Sequence, residues 1–209
     1  MIIHRIVIGS IMENAYILGT AGSKDCVVID PGGNPDVILE QVDILGFNVS
    51  MILNTHGHAD HIGGVSGIKR VSGATYAIHE KEASILQSDN RWAVNIMPGF
   101  EDPPIPDIWL GDNNKDITLE DFSINIIETG GHTPGGVCYY TEGAVFTGDT
   151  LFRGSIGRYD LPGGDGELLV RNIHQKLLTL PEDTRVLPGH GPESTIIWEK
   201  TTNPYLTGG

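Results

Sequence analysis

Short apolar runs separated by turn residues predict strands throughout the first half of the chain. The predicted strands cover residues 2–8, 14–20, 26–30, 51–53 and 75–78. The third is continuously apolar, which is typical of a strand buried on both faces, and Pro31-Gly32-Gly33 ends it. Apolar residues at helical spacing predict a helix from Pro35 to about Leu45, which Gly46 ends. Two further helices are predicted at about 62–71 and 80–86.

The second half of the chain repeats this rhythm of strands and helices. Strands are predicted at residues 108–110, 123–128, 137–141, 144–147 and 184–187, and a helix at about 166–180. Two blocks of strands, each followed by strand–helix units, favour the α/β class, with two β-sheets packed together and helices on the outside.

Residues 88–106 differ from the rest, because they carry four of the twelve prolines and show no clear period. A long loop inside a compact domain is usually functional or disordered. The apolar residues Trp92, Ile96, Met97 and Phe100 argue against disorder. We interpret the segment as a lid or pocket wall, and an ordinary packed surface excursion is the alternative.

The bulk composition of the 209 residues is that of a globular protein with an acidic balance. Lys plus Arg number 13 against 27 Asp plus Glu, so the formal net charge is −14, which argues against nucleic acid as the main partner. The two cysteines, Cys26 and Cys138, lie in apolar runs and are interpreted as small buried hydrophobic residues. The chain shows neither a signal peptide nor an apolar run long enough to span a membrane, so we expect a cytoplasmic protein.

The strongest chemical signal is the motif Thr-His-Gly-His-Ala-Asp-His at residues 55–61. His56, His58 and His61 place three of the eight histidines within six positions, and Asp60 lies between the last two. Imidazole nitrogens and carboxylate oxygens are the ligands of divalent transition metals. Because the motif follows an apolar strand and precedes Gly63-Gly64, it is predicted to be a metal-binding loop between a strand and a helix.

Three other predicted strands also end in a glycine turn that carries one potential ligand. These turns present His132 in Gly-Gly-His-Thr, Asp149 in Gly-Asp-Thr and His190 in Gly-His-Gly. Together with the first motif they supply five histidines and two aspartates, which is more than one zinc ion uses. The set therefore predicts a two-metal centre, in which a shared water is converted to hydroxide near neutral pH and the chemistry is hydrolysis.

These motifs, in this order, resemble the metallo-β-lactamase superfamily. Within it, Thr-His-Gly-His-Ala-Asp-His-Ile-Gly-Gly at 55–64 and Phe-Thr-Gly-Asp-Thr-Leu-Phe at 146–152 are similar to the glyoxalase II (hydroxyacylglutathione hydrolase) branch. The resemblance covers essentially the whole chain and implies an αββα sandwich. It implies that one metal is held by His56, His58 and His132, that the other is held by Asp60, His61 and His190, and that Asp149 bridges them. Asp60 is also the candidate catalytic residue.

The resemblance becomes weaker at the substrate site. Glyoxalase II enzymes carry a C-terminal helical domain that contacts glutathione, whereas 19 residues follow His190 here, so we expect a single domain over residues 1–209. Arg158 stands where the family places a lysine that meets the glycine carboxylate of the thiol, and Tyr159 is a second candidate. For Arg158 a surface ion pair is an equal alternative.

The function expected from this resemblance is hydrolysis of a small-molecule thioester of the S-lactoylglutathione type by a metal-bridging hydroxide. Two divalent ions are expected, with zinc as the first choice and iron or manganese as alternatives. The segment 152–160 also resembles mono-iron persulfide dioxygenases, so a dioxygenase is the main competing function. A lactone or β-lactam hydrolase is a further alternative on the same fold. A nuclease is disfavoured by the charge, and a purely structural metal site is disfavoured by the number of ligands.

Overall fold

The computed structural model of the protein describes residues 1–88, 94, 97–111 and 113–208. Internal contacts divide it into two compact units. The first unit contains Met1–Gly111 and Leu119–Phe122, and the second contains Asp112–Thr118 and Ser123–Gly209. The sequence prediction of a single domain stays a prediction.

The first unit contains a mixed sheet of six strands in chain order. The strands are β1 (Ile2–Ile8), β2 (Glu13–Gly19), β3 (Asp25–Ile29), β4 (Asn48–Leu53), β5 (Thr75–His79) and β6 (Ile108–Leu110). The pairs β1–β2 and β2–β3 are antiparallel, whereas β3 to β6 run parallel. Parallel neighbours need crossover connections, and the helices of this unit lie in those connections.

The helices of the first unit are α1 (Pro35–Leu45), α2 (Ala59–Ile62), α3 (Val65–Ser72) and α4 (Ala83–Leu86), with a 3₁₀ turn at Glu80–Glu82. Pro35 starts α1 because its fixed φ suits the first helical position, and Gly46 ends it with φ 77°. Buried side chains of α1 and α3, such as Ile38 and Ile68, share one hydrophobic core with Ile52 of β4.

The second unit contains another six-stranded mixed sheet, in the order β14-β13-β10-β9-β8-β7. Its strands are β7 (Asp116–Thr118), β8 (Ser123–Glu128), β9 (Val137–Thr141), β10 (Ala144–Gly148), β13 (Arg185–Pro188) and β14 (Ser194–Thr195). A separate two-stranded hairpin is formed by β11 (Leu151–Phe152) and β12 (Ser155–Ile156). The β10–β13 pair is parallel and the other pairs are antiparallel.

Two helices accompany this second sheet. They are α5 (Gly166–Asn172), which continues into a π-helical turn at Ile173–Leu177, and α6 (Ile196–Thr202). Leu169, Ile173 and Leu177 recur every four residues and are all buried in the core of this unit. A π turn has more residues per turn than an α-helix, so it keeps residues four positions apart on one face. The helix predicted over 166–180 is therefore α-helical to Asn172 and π-helical from Ile173 to Leu177.

The predicted class of two mixed sheets with helices is confirmed. The helix predicted at 62–71 is found as α3, which begins at Val65, and Gly63 and Gly64 separate it from the short helix α2, which was not predicted. The structure adds β7, the β11–β12 hairpin, β14 and α6, which the sequence analysis did not predict. The strands among these additions are only two or three residues long, which is too short to show a period.

The described end of the 88–106 segment packs onto the first unit. Met97 is buried in its hydrophobic core, and the Pro98 carbonyl accepts a hydrogen bond from Asn34 N at 2.7 Å. Glu101 N donates to the Gly63 carbonyl at 3.0 Å. Residues 97–101 are thus a packed excursion. Trp92 and Ile96 lie outside the described residues, and the lid interpretation stays a prediction.

Cys26 and Cys138 are buried and form no disulfide, as predicted. Burial raises the pKa of the Cys26 thiol to about 12, so this thiol stays protonated and unreactive. Among the helices that the structure describes, none has the length and apolar character needed to cross a bilayer. The cytoplasmic location stays a prediction.

A matched pair of isoleucines tests the core of the first unit. Ile68 is 0% exposed on α3, whereas Ile44 is 68% exposed on α1. We expect Ile68→Ala to lower the free energy of unfolding by about 2–5 kcal/mol, because it leaves a cavity in the core. Ile44→Ala should change it by no more than about 0.5 kcal/mol. Denaturant titration of both variants measures the difference, and equal effects would contradict the described packing.

Candidate metal centre

Four of the seven predicted ligands lie in one loop of the first unit, directly after β4. His56 and His61 are buried, while His58 and Asp60 are half-buried. The ring centroid of His56 is 4.7 Å from that of His58 and 4.2 Å from that of His61. The helix α2 begins at Ala59, and its first turn brings Asp60 and His61 back towards the histidines. This loop therefore gathers three imidazoles and one carboxylate.

Asp30 at the end of β3 holds this loop in place. Its carboxylate accepts hydrogen bonds from Thr55 N at 2.7 Å, from Thr55 Oγ1 at 2.7 Å and from Asn54 Nδ2 at 3.2 Å. Its Oδ2 also lies 3.2 Å from Nδ1 of His61. The contact favours a proton on Nδ1 of His61 and leaves Nε2, which is 3.8 Å from Asp60 Oδ2, as the ligand atom.

Two further buried carboxylates surround the same loop. Oε2 of Glu82 accepts a hydrogen bond from Gly57 N at 2.8 Å, between the first two histidines. Oε1 of Glu13 lies 3.9 Å from Nδ1 of His61. With Asp30, three buried acidic side chains thus face the histidine loop. Buried carboxylates need compensating positive charge, so this environment favours a cation among the histidines.

Tyr76 lies beneath these carboxylates and is fully buried. Burial raises the pKa of its hydroxyl far above the ordinary value, and the charges of Asp30 and Glu82 add to the rise. Tyr76 therefore stays a neutral phenol and adds no charge to the loop's surroundings.

The other three predicted ligands lie in the second unit, each at the end of a strand. His132 follows β8, Asp149 follows β10 and His190 follows β13. Nε2 of His132 is 3.7 Å from Asp149 Oδ2, and Nε2 of His190 is 3.9 Å from Asp149 Oδ1. These separations exceed hydrogen-bonding distance. They approach the spacing of two ligands on one ion, roughly 3.0–3.5 Å for bonds of about 2.1 Å.

The ring of His132 is oriented by a backbone carbonyl. Its Nδ1 lies 2.7 Å from the carbonyl oxygen of Arg158, so Nδ1 carries the proton and Nε2 is left to bind a metal. His61 and His132, in different units, thus show the same arrangement. In each, an oxygen of the chain lies close to Nδ1, at 3.2 Å in His61 and 2.7 Å in His132, and Nε2 lies 3.7–3.8 Å from an oxygen of a predicted aspartate ligand. The donor set and its orientation fit divalent metal binding in both units.

Glycines allow the backbone to approach each aspartate ligand. A Cβ on Gly32 would lie 1.7 Å from the carbonyl oxygen of Asp60. A Cβ on Gly157 would lie 1.8 Å from the carbonyl oxygen of Asp149 and 3.2 Å from Nδ1 of His132. No side chain fits at these distances, so glycine is required at both positions.

The two predicted substrate residues lie at the surface of the second unit. The guanidinium of Arg158 makes two hydrogen bonds of 2.9 Å to the carboxylate of Asp160, and both side chains are mostly exposed. These bonds lower the pKa of Asp160. Tyr159 is half-exposed, and its ring packs where a Gly166 side chain would be, 2.8 Å from the Cβ position. Their roles in substrate binding stay predictions.

Asp30, Glu13 and Glu82 were not predicted from the sequence. A signal existed for Asp30, because the run Val-Val-Ile-Asp-Pro-Gly-Gly ends an apolar strand with a carboxylate and a glycine turn, like the three single-ligand turns. Glu13 and Glu82 had no comparable signal, since each stands alone among ordinary residues. Of the remaining histidines, His79 is buried and its Nδ1 accepts a hydrogen bond from Lys81 N at 3.2 Å, which is a packing role.

Comparison with known proteins shows the family to which the chain belongs. A sequence model of the metallo-beta-lactamase superfamily matches residues 9–190. A hydroxyacylglutathione hydrolase, GloC, of Haemophilus influenzae is 36% identical over 186 residues, which covers 88% of each chain.

Two solved structures are similar over nearly the whole chain. The crystal structure of the BLEG-1 B3 metallo-beta-lactamase has a TM-score of 0.89 at 37% identity and covers 99% of this chain and 100% of its own. A di-iron-bound form of TTHA1623 has a TM-score of 0.86 at 35% identity, with coverages of 97% and 100%. These similarities confirm the predicted fold class.

The close approach at Gly157 gives a testable consequence. We expect Gly157→Ala to displace Asp149 or His132, and so to lower metal affinity by about tenfold or more. Gly22→Ala is the control, because its Cβ would meet one atom at 3.7 Å, and it should bind metal as the unchanged protein does. Titration of the metal-free proteins with Zn²⁺ provides the comparison. Unchanged affinity in Gly157→Ala would contradict the described backbone approach.

Proposed function

Because the chain belongs to the metallo-β-lactamase superfamily, we propose that it is a two-metal hydrolase that cleaves small-molecule thioesters of the S-lactoylglutathione type. The observation that carries this proposal is the shared orientation of His61 and His132. Both rings have an oxygen of the chain close to Nδ1, at 3.2 and 2.7 Å, and an aspartate oxygen 3.8 and 3.7 Å from Nε2. Such rings are prepared as metal ligands before any ion arrives.

In this proposal the seven ligands form one centre. One ion would be held by His56, His58 and His132, the other would be held by Asp60, His61 and His190, and Asp149 would be a ligand of both. The four ligands of the first unit and the three of the second are each preorganised within their own unit, which supports their use as a set. The di-iron form of TTHA1623, 35% identical to this chain, supports two ions. Zinc is the proposed metal, with iron or manganese as alternatives.

Bound divalent ions lower the pKa of water to about 7 and so supply hydroxide near neutral pH. The chain's own residues provide the rest. Asp30 and the Arg158 carbonyl hold the rings of His61 and His132 in a fixed direction. Asp60 has a side chain that is 16% exposed, so its carboxylate oxygen can accept the proton of the attacking water. The thioester and water then yield a carboxylic acid and a thiol.

The thioester substrate is supported by GloC, whose name is that of a hydroxyacylglutathione hydrolase. Arg158 would bind a carboxylate of the thiol portion through its planar fork, as it binds the Asp160 carboxylate in this structure. An exposed pair can exchange its carboxylate for that of a substrate, so the ion-pair and substrate interpretations of Arg158 are compatible. Tyr159, the next residue, would line the same surface.

The second candidate is β-lactam hydrolysis. It is favoured by BLEG-1, which carries the name of a B3 metallo-beta-lactamase and is 37% identical to this chain. The two reactions need the same ligand set and differ in what binds beside it.

An activity panel tests the proposal. Metal-reconstituted protein should hydrolyse S-lactoylglutathione, with little turnover of a β-lactam and no oxygen uptake with glutathione persulfide. His58→Ala and Asp149→Ala should each lower kcat/KM for the thioester by about 10³-fold or more, because the rate enhancement depends on the metals. Metal content per chain, expected to be two in the unchanged protein, is measured on the same samples.

His174→Ala is the matched control, since His174 is exposed and lies outside the proposed ligand set. It should keep both metal content and activity. Full thioesterase activity in His58→Ala would refute the proposed centre. Oxygen consumption with one iron per chain would show a dioxygenase, and preferred turnover of the β-lactam would show the second candidate.

A further inference from the structure

The loop that carries His132 is closed at its base by the carbonyl of Gly136. This oxygen accepts hydrogen bonds from Thr129 N at 2.9 Å, from Gly130 N at 2.8 Å and from Thr129 Oγ1 at 3.1 Å. The side-chain amide of Asn172, the last residue of α5, donates to the carbonyl of Thr129. The backbone of Thr129 is therefore fixed at both its N–H and its carbonyl.

The turn that carries Asp149 is fixed in a similar way. Thr150 N donates to the Thr147 carbonyl at 2.9 Å, which closes the turn around Asp149. The carbonyl of Thr150 accepts a hydrogen bond from Gly157 N at 3.3 Å. Thr150 is the residue next to Asp149, and both its N–H and its carbonyl are held by hydrogen bonds. The two residues are therefore positioned together.

A bond between two buried hydroxyls joins the two ligand turns. Oγ1 of Thr129 lies 3.0 Å from Oγ1 of Thr150, and both residues are no more than 3% exposed. Each hydroxyl has one proton to donate. Since the Thr129 hydroxyl donates to Gly136, the proton between the two threonines comes from Thr150. The hydrogen bonds therefore run from Thr150 to Thr129 to Gly136.

The Asp149 turn is joined to the His190 turn by a different kind of bond. Gly189 N donates to the carbonyl of Gly148 at 2.8 Å, which ties the His190 turn to the Asp149 turn through main-chain atoms. On the His132 side, the bond between the Thr129 and Thr150 hydroxyls joins the two turns through side chains. A substitution can therefore remove this hydroxyl bond while the main-chain bond to the His190 turn stays.

We propose that Thr129 and Thr150 are positioning residues that set the separation between His132 and Asp149, which is 3.7 Å from Nε2 to Oδ2. By setting this separation, the two threonines would determine how tightly the protein binds the ion at His132, while the binding of the ion at His190 would not change. This inference rests on the two-metal centre proposed above. Without the hydroxyl link, the loop of His132 and the turn of Asp149 no longer move as one body, so the ion must fix their separation as it binds.

Thr129→Val and Thr150→Val test the link, because valine keeps the shape of threonine without its hydroxyl. In titrations of metal-free protein with Co²⁺, we expect one of two binding steps to weaken by about tenfold and the other to stay unchanged. The visible absorption of the weakened step should also change. The double variant should match Thr129→Val, because Thr129→Val already removes the bond between the two hydroxyls. Thr129→Ser and Thr150→Ser should restore the unchanged binding.

Thr141→Val is the control, since Thr141 is a buried threonine of the same sheet and its Oγ1 donates to the Ser123 carbonyl at 3.2 Å. It should leave both binding steps unchanged. Melting of the metal-free variants separates stability from positioning. If Thr129→Val does not fold, Thr150→Val carries the test, because it leaves the Thr129–Gly136 bond intact.

Unchanged Co²⁺ binding in Thr150→Val would overturn the inference. So would an equal weakening of both steps that follows the loss of stability, or a serine variant that behaves like valine. An unchanged protein that binds two ions without cleaving thioesters would refute the proposed reaction alone. An unchanged protein that cleaves thioesters, with variants that bind Co²⁺ normally, would refute the positioning role alone.

Discussion

The carboxylate of Asp30 is the contact on which the histidine loop of the first unit depends. It accepts hydrogen bonds from the backbone and hydroxyl of Thr55 and from the amide of Asn54, and it lies 3.2 Å from Nδ1 of His61. Asp30 itself has φ 49°, a left-handed conformation that costs about 1–3 kcal/mol in a residue with a side chain. A buried strand and a glycine turn maintain that conformation, so the scaffold, and not the ion, orients His61.

In the second unit, a histidine ring is oriented through its Nδ1 by a backbone carbonyl, without a buried carboxylate. There the Arg158 carbonyl takes Nδ1 of His132, and the close approach at Gly157 makes this contact possible. A carboxylate partner makes an imidazole a more basic ligand than a neutral carbonyl does. His61 is therefore expected to be the stronger donor of the two, and the histidine-rich loop the part that binds a first ion.

The sequence predicted the long elements and all candidate ligands because both have local signals. Strands such as Asp25–Ile29 contain a continuous apolar run, and every ligand follows a strand end with a glycine turn. Hairpin strands of two residues, such as Leu151–Phe152, have no period to detect. Glu82 could not be identified, because its contact with Gly57 joins residues 25 positions apart and neither has an unusual local pattern. The π turn after Asn172 arises from packing and not from propensity.

Residues near the predicted ligands are buried, whereas the predicted substrate residues are exposed. This difference is consistent with one fold and one ligand set supporting several reactions within a family. Thr55, Thr129 and Thr150 are buried, and each hydroxyl makes a hydrogen bond to another buried side chain. Changes there alter the scaffold of every reaction at once. Arg158 and Asp160 are exposed and contact each other, so either can be replaced without leaving a buried polar group unsatisfied. Under the proposed function, substrate choice would change at this surface while the ligand geometry stays fixed, so the proposed ligands would indicate the reaction type and the exposed segment the substrate.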